Sequence, residues 1–123
     1  MTTSQARKLG LRADLRVALD ERPAGWTLQE PRDELVEEAD VIIAFFTQAS
    51  DLPARLPSLS RRVYPSGAIW AAWPRRAAGH NSDITDNIVR EHALPLGLVD
   101  VKVAAIDDDW SGLRLVWRRE LRK

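Results

Sequence analysis

The stretch Asp40 to Phe46 reads DVIIAFF, and it constrains the fold more than any other part of the chain. Side chains alternate along a strand, so Val41, Ile43 and Phe45 point one way and Ile42, Ala44 and Phe46 the other. Both sets are apolar. An antiparallel strand with one solvated face would carry polar residues on that face. A strand apolar on both sides is covered on both sides, as in a parallel sheet flanked by further layers. The rest of the chain has to supply those layers.

Proline, glycine and capping residues divide the remainder. Leu15 to Leu19 (LRVAL) reads as a first strand running into Asp20, Glu21, Arg22 and Pro23, with Pro23 and Gly25 making a loop. Glu34 to Ala39 reads as a short helix, with Pro31 near its first turn. After DVIIAFF, Ser50 or Asp51 caps a helix with Leu52, Leu56 and Leu59 on one stripe. Pro53 suits its start, while Pro57 should kink it or disturb its last turn. Pro65-Ser66-Gly67 then turns the chain into a third strand, Ala68 to Trp73. Ser82 or Asp83 is the expected cap of a helix carrying Ile84, Ile88 and Val89, and Asp86 falls where a capping box places an acid. Pro95 should end that helix near Leu94, and Gly97 supplies a left-handed exit. Val99 to Ile106 reads as a fourth strand with Val99, Val101, Val103 and Ala105 on one face. Trp110-Ser111-Gly112 is the expected turn into a fifth strand, Leu113 to Arg118, antiparallel to the fourth.

Strands alternating with helices and closing in a hairpin make an α/β domain. The expected fold is a small Rossmann-like, mostly parallel five-stranded sheet ending in an antiparallel hairpin. At 123 residues the chain reads as one domain, residues 15–118. Residues 1–14 form a polar, basic N-terminal segment, expected to be partly disordered, with a helical turn around Gln5 to Leu9 that Gly10 breaks. Residues 119–123 form a basic tail. Right-handed crossovers stepping in one direction put every helix on one face of the sheet. The other face of DVIIAFF then needs a cover, and the N-terminal segment looks too short. A second copy of the chain is the simplest cover, which predicts a homodimer.

Composition excludes more than it identifies. Lysine plus arginine total 18, as do aspartate plus glutamate, so no long-range field points to nucleic acid or a membrane surface. There is no cysteine, which excludes disulfides, thiolate metal sites and a cysteine nucleophile, and fits a reducing cytoplasm. The opening MTTSQARKLGLRADLRV has no apolar core of a secretory signal, and no apolar run approaches bilayer length.

Two resemblances follow from motifs. The order of elements over residues 40–118, through the turn YPSGAIW to the final hairpin, resembles the C-terminal half of a class I S-adenosylmethionine methyltransferase. More specifically, WPRR, DITDNIVRE, LPLGLVDVKV and WSGLRLV resemble a family of small bacterial proteins filed as a domain of unknown function. That likeness spans most of residues 9–118 and is strongest from Trp73 to Val116. Arg75 stands where that family carries lysine, and LRADLRV replaces its Pro-Gly-type turn. The family implies a fold and no reaction. The methyltransferase likeness implies S-adenosylmethionine, but the first strand runs into LDERPAGW without a glycine-rich turn. The ribose-holding strand is missing too. No cofactor is therefore expected.

Open parallel sheets bind ligands beyond the carboxyl ends of their strands. The longest connection there is Arg75 to Asp83 (RRAAGHNSD). The candidate ligand-binding residues are Trp73, Arg75, Arg76, Thr85, Asp107 and Trp110. Arg75 and Arg76 precede a helix N-terminus, a natural setting for a phosphate or carboxylate. The plainer alternative makes them solvated loop arginines, or partners of the Asp107-Asp108-Asp109 run. Thr85 is the polar residue least explained by capping. Trp110 could stack on a ligand or pack as a lid over the sheet end. Trp70 and Trp73 lie three apart, hence on opposite faces of their strand, so they share no pocket. Neither histidine, His80 nor His92, has a metal-ligand partner at a recognised spacing, and no G-x-S-x-G elbow exists. The chain thus reads as a non-catalytic cytoplasmic module for a small anionic ligand or a protein partner. The alternatives are a reduced methyltransferase-like enzyme, with Asp20, Trp73, Arg75 and Asp107 forming the crevice, or a structural dimeric accessory protein.

Overall fold

A computed structural model describes residues 4–12, 14–28, 39–76 and 79–122. The expected helix Glu34 to Ala39 lies almost wholly outside the described residues. The elements, in chain order, are α1 (Gln5–Leu9), β1 (Val17–Asp20), β2 (Val41–Phe45), α2 (Asp51–Arg62), β3 (Ala68–Pro74), α3 (Asp86–Ala93), β4 (Leu98–Ala105) and β5 (Trp110–Trp117). They build a five-stranded sheet in the order β1-β2-β3-β5-β4. β1, β2 and β3 pair in parallel, and β5 runs antiparallel to both of its neighbours. The hairpin therefore folds back so that β5 enters beside β3, which leaves β4 at the edge.

The alternation of DVIIAFF is realised in two separate cores. Ile42, Ala44 and Phe46 face α2 and α3, packing with Leu52, Leu56, Leu59, Val89 and Ala93. Val41, Ile43 and Phe45 face the other way. On β3, Ile69, Ala71 and Trp73 join the helical side, and Trp70 and Ala72 the opposite one. Pro57 is accommodated inside α2. α3 ends at Ala93, and a 3-10 turn at Leu94–Leu96 leads into Gly97 at φ 98°.

The second face is covered by the chain itself. Leu9 and Leu11 from α1 and its exit, and Leu28 from the loop after β1, are buried against Val41, Ile43, Phe45 and Trp70. The Trp70 indole N–H donates to the Leu9 carbonyl at 2.9 Å, which fixes α1 over β3. α1 and its exit, with Leu28, thus supply a layer over the face that a second copy was expected to cover. The homodimer loses the physical reason given for it. Gly10 does end α1, in the left-handed region at φ 72°. After β5 a 3-10 turn spans Arg119–Leu121, and Arg122 Nε donates to the Trp117 carbonyl at 2.8 Å.

Three local expectations need correction. α3 begins later than capping residues suggested: Thr85 is its cap, its hydroxyl accepting from the Ile88 amide at 3.3 Å. Ser82 instead accepts from the Ile84 amide at 3.1 Å, and Asp83 accepts from the Ala49 amide at 2.9 Å. The β4–β5 turn is Asp107 to Asp109, while Trp110, Ser111 and Gly112 already belong to β5. Finally, β4 carries a bulge between Asp100 and Lys102, so Val99 and Val103 do not hold one unbroken face, and Val101 and Val103 are exposed.

Candidate functional site

The carboxyl ends of β1, β2 and β3 lie along one rim of the sheet, and four of the six candidate residues meet there. Trp73, Arg75, Arg76 and Thr85, with Ile84, Asp86 and Ser111, line a concavity of about 320 Å³. A neighbouring one of about 680 Å³ is lined by Thr47, Arg76, Gly79, His80, Asn81, Ser82 and Asp83. Arg76 belongs to both. Asp107 and Trp110 line neither. Trp110 sits on the opposite face, edge-on to Phe45 at 5.0 Å, and Trp26 packs on the other side of Phe45 at 4.8 Å. Trp110 is thus half-buried in an aromatic cluster that closes the end of the second core.

Most of the polar candidates are committed to folding. Asp107 Oδ1 accepts from the amides of Asp109 (2.8 Å) and Trp110 (2.9 Å), and its Oδ2 accepts from the Trp26 indole at 2.7 Å. An aspartate gathering amides two and three residues on is a turn builder. Arg75 braces the same turn: its guanidinium donates to the carbonyls of Asp107 (3.4 Å) and Asp108 (3.2 Å), and its amide donates to the Asp109 carbonyl (2.8 Å). Arg75 does serve the Asp107-Asp108-Asp109 run, but through backbone oxygens. Trp73 is buried in the helical core. Thr85 is spent as the helix cap.

Arg76 differs. It is exposed, and its guanidinium makes no hydrogen bond or ion pair among the described residues. Around it stand the Thr47 hydroxyl at the end of β2 and the Asn81 amide. His80 is nearby, hydrogen-bonded to the Asp109 carboxylate at 3.0 Å. That pair is exposed on both sides and contributes little to stability. Asp86, which lines the smaller concavity, is neutralised by Arg90 at 2.9 Å. Arg90 also holds Asp100 at 2.8 Å, and this hydrogen bond keeps the Asp100 carboxyl below the ordinary carboxylate range.

Beyond β1, the place where a methyltransferase-like protein would present glycines is closed by side chains. Asp20 is clamped by Arg55, whose Nε donates to Oδ2 at 3.1 Å. The same guanidinium donates to the Phe45 carbonyl at 2.7 Å and lies 4.1 Å over the Phe46 ring. Sequence reasoning missed Arg55. Its signal was its place one helical turn after Asp51, facing the exits of both strands. Among the described residues no group of three His, Asp or Glu is placed to hold a metal ion. No helix is long and apolar enough to cross a membrane.

Comparison with known proteins agrees with this architecture. A LepI variant solved in complex with SAH and a substrate analogue superposes with a TM-score of 0.54 at 10% identity, over 92% of this chain. This chain spans 39% of the length of that protein, so the likeness is one of fold. A search of curated proteins finds no match. A family described as "Protein of unknown function (DUF3052)" matches residues 10–119, and the chain belongs to that family.

Proposed function

We propose that this domain is a non-catalytic binding module that takes a small anionic ligand at the Arg75–Asp83 loop. The observation that carries the reading is Arg76, a guanidinium without a partner among the described residues, standing between two concavities at the strand ends. Arginine suits phosphate and carboxylate because its planar fork donates in pairs. The Thr47 hydroxyl and Asn81 amide add neutral donors beside it. The enzyme alternative is weaker on the same ground: Asp20, Trp73, Arg75 and Asp107 are each held by Arg55, the core, the β4–β5 turn or Trp26.

A S-adenosylmethionine-dependent reaction draws support only from the likeness to LepI, whose solved complex contains SAH. The clamped exit of β1 argues against it. In addition β1 is the last strand on its side of the sheet among the described residues, with no ribose-holding strand beyond it.

The test is a titration of inorganic phosphate, a nucleotide and S-adenosylmethionine, followed by thermal shift and calorimetry. Phosphate or nucleotide should stabilise the wild-type protein, and R76Q should lose that response while keeping its unliganded melting temperature. No response to any anion, or an undiminished response in R76Q, rejects the site. Tight binding of S-adenosylmethionine alone favours the enzyme.

A further inference from the structure

On the face of the sheet away from α2 and α3, a third concavity, of about 360 Å³, lies between α1 and the β4–β5 hairpin. It is lined by Arg7, Lys8, Leu9, Gly10, Trp70, Val101, Lys102 and Arg114. The lining holds four cations and no carboxylate.

Arg114 is the central observation. It stands in the middle of β5, opposite Trp70 on β3, on the face that carries the second apolar core. The side chain is half-buried. It makes no hydrogen bond or ion pair among the described residues, and the cation–π contact of Arg55 with Phe46 lies on the other face of the sheet. Burial pushes its pKa down, with no acid acting to raise it. A partly buried charge without a counter-charge is costly, and native folds seldom keep one without a use.

The β4 bulge is an independent observation. An unbroken register after Asp100↔Leu115 would set Val101 opposite Arg114. The bulge sets Lys102 there instead. Residues directly opposite share a face, so the irregularity brings two cations side by side, which on its own destabilises the pair. Bulges recur where a strand re-aims a side chain for function. Lys102 Nζ also donates to the Lys8 carbonyl at 2.9 Å, tying the hairpin to α1 and holding the pocket's shape. The Trp70 indole N–H is spent on Leu9, so Trp70 offers a ligand only its ring and the charged donors come from the cations.

We propose that this pocket is a second anion site, in which Arg114 and Lys102 from the sheet, with Arg7 and Lys8 from α1, hold a compact polyanion. Its ligand carries at least two negative charges in a small volume, as a diphosphate or a tricarboxylate does. The site is independent of Arg76, which lies beyond the strand ends.

Calorimetric titration of the full chain with inorganic pyrophosphate and with citrate, at fixed ionic strength, tests this. The wild-type protein should bind at least one of them, and the tighter of the two distinguishes a phosphate from a carboxylate source. R114Q should weaken that binding about tenfold or more, the loss of a charge-assisted donor. K102Q, which leaves the half-buried position intact, should weaken it to a smaller degree. R76Q should leave it unchanged. Without bound anion R114Q should melt at or above the wild-type temperature, because an uncompensated charge has gone. Absence of binding by both probes overturns the proposal. So does binding that survives both R114Q and K102Q. Binding that R76Q abolishes while R114Q spares belongs to the strand-end site and also overturns it.

Discussion

Asp107 was a candidate ligand residue and is, in the structure, the organiser of a turn; replacing it separates the two roles. D107A removes three accepted hydrogen bonds at once, from Trp26 Nε1 and from the amides of Asp109 and Trp110. The bond from Trp26 is part-buried and made to a charged acceptor, worth about 1.5 kcal/mol. The part-buried amide of Trp110 adds about 1 kcal/mol and the exposed amide of Asp109 about 0.5 kcal/mol, since water replaces that partner readily. The expected loss is about 3 kcal/mol, or a fall in Tm of about 12 °C for 123 residues at roughly 2.1 cal/mol/K each. D107N keeps one carbonyl oxygen for the two amides and turns an NH2 group toward Trp26, so it should lose only about 1.5 kcal/mol. Urea unfolding measures the free energies and thermal unfolding the fall in Tm, both followed by far-UV circular dichroism. In a W26F background D107N should become nearly neutral, because its missing partner is already gone. A D107A protein within 0.5 kcal/mol of wild type would refute the assignment. An undiminished cost of D107N in W26F would show that Trp26 is not the group that matters.

Three further outcomes follow from the packing. Thr85→Ala should cost about 1 kcal/mol by removing the α3 cap, and should leave phosphate binding by the Arg76 loop unaltered in calorimetry. Leu9→Ala should cost about 2–5 kcal/mol and, by opening the face over Trp70, should produce concentration-dependent association in light scattering; a destabilised but strictly monomeric variant would contradict the covering role of α1. Asp40 is held below the ordinary value of 3.8 chiefly by the Arg16 amide, and Asp100 by the Arg90 guanidinium. Lowered carboxylates stabilise the fold fully above their unfolded value and lose that effect as pH falls through the folded one, so melting temperature should decline below pH 3.8 and decline less in D100N.

Elements defined by side-chain period were legible in the sequence. DVIIAFF showed two buried faces because both alternating sets are apolar, and Pro95 with Gly97 marked the end of α3 because backbone freedom there is a local property. Features set by competition between equivalent groups were not. Ser82, Asp83 and Thr85 are all good caps, and only the path of the preceding loop decides which one reaches a helical amide. Trp110-Ser111-Gly112 carries turn residues, yet Asp107 three residues earlier gathers the amides first. The bulge at Val101 leaves no trace in the alternating VDVKV. The cover of the second face was legible in part: Leu9, Leu11 and Leu15 are apolar residues in an otherwise polar start, and each is buried or packed on the second core.

Arg75 and Arg76 show why residue type could not assign the site. They are adjacent and identical, and β3 separates their fates. Pairing of Pro74 with Trp110 brings the Arg75 amide to the Asp109 carbonyl, and its guanidinium follows onto the turn. Arg76, one residue further, is past the sheet and meets no acceptor among the described residues. A cation left over in this way is informative in proportion to what leaving it costs. Arg76 is exposed, so water satisfies it, and only its position between two concavities gives it meaning. Arg114 is half-buried, so water satisfies it less, and a like charge is set opposite it by a bulge. Folding accounts for the clamped groups, Asp20, Arg75, Thr85 and Asp107, each hydrogen-bonded within the protein. It does not account for Arg114, and a ligand anion is the partner that would.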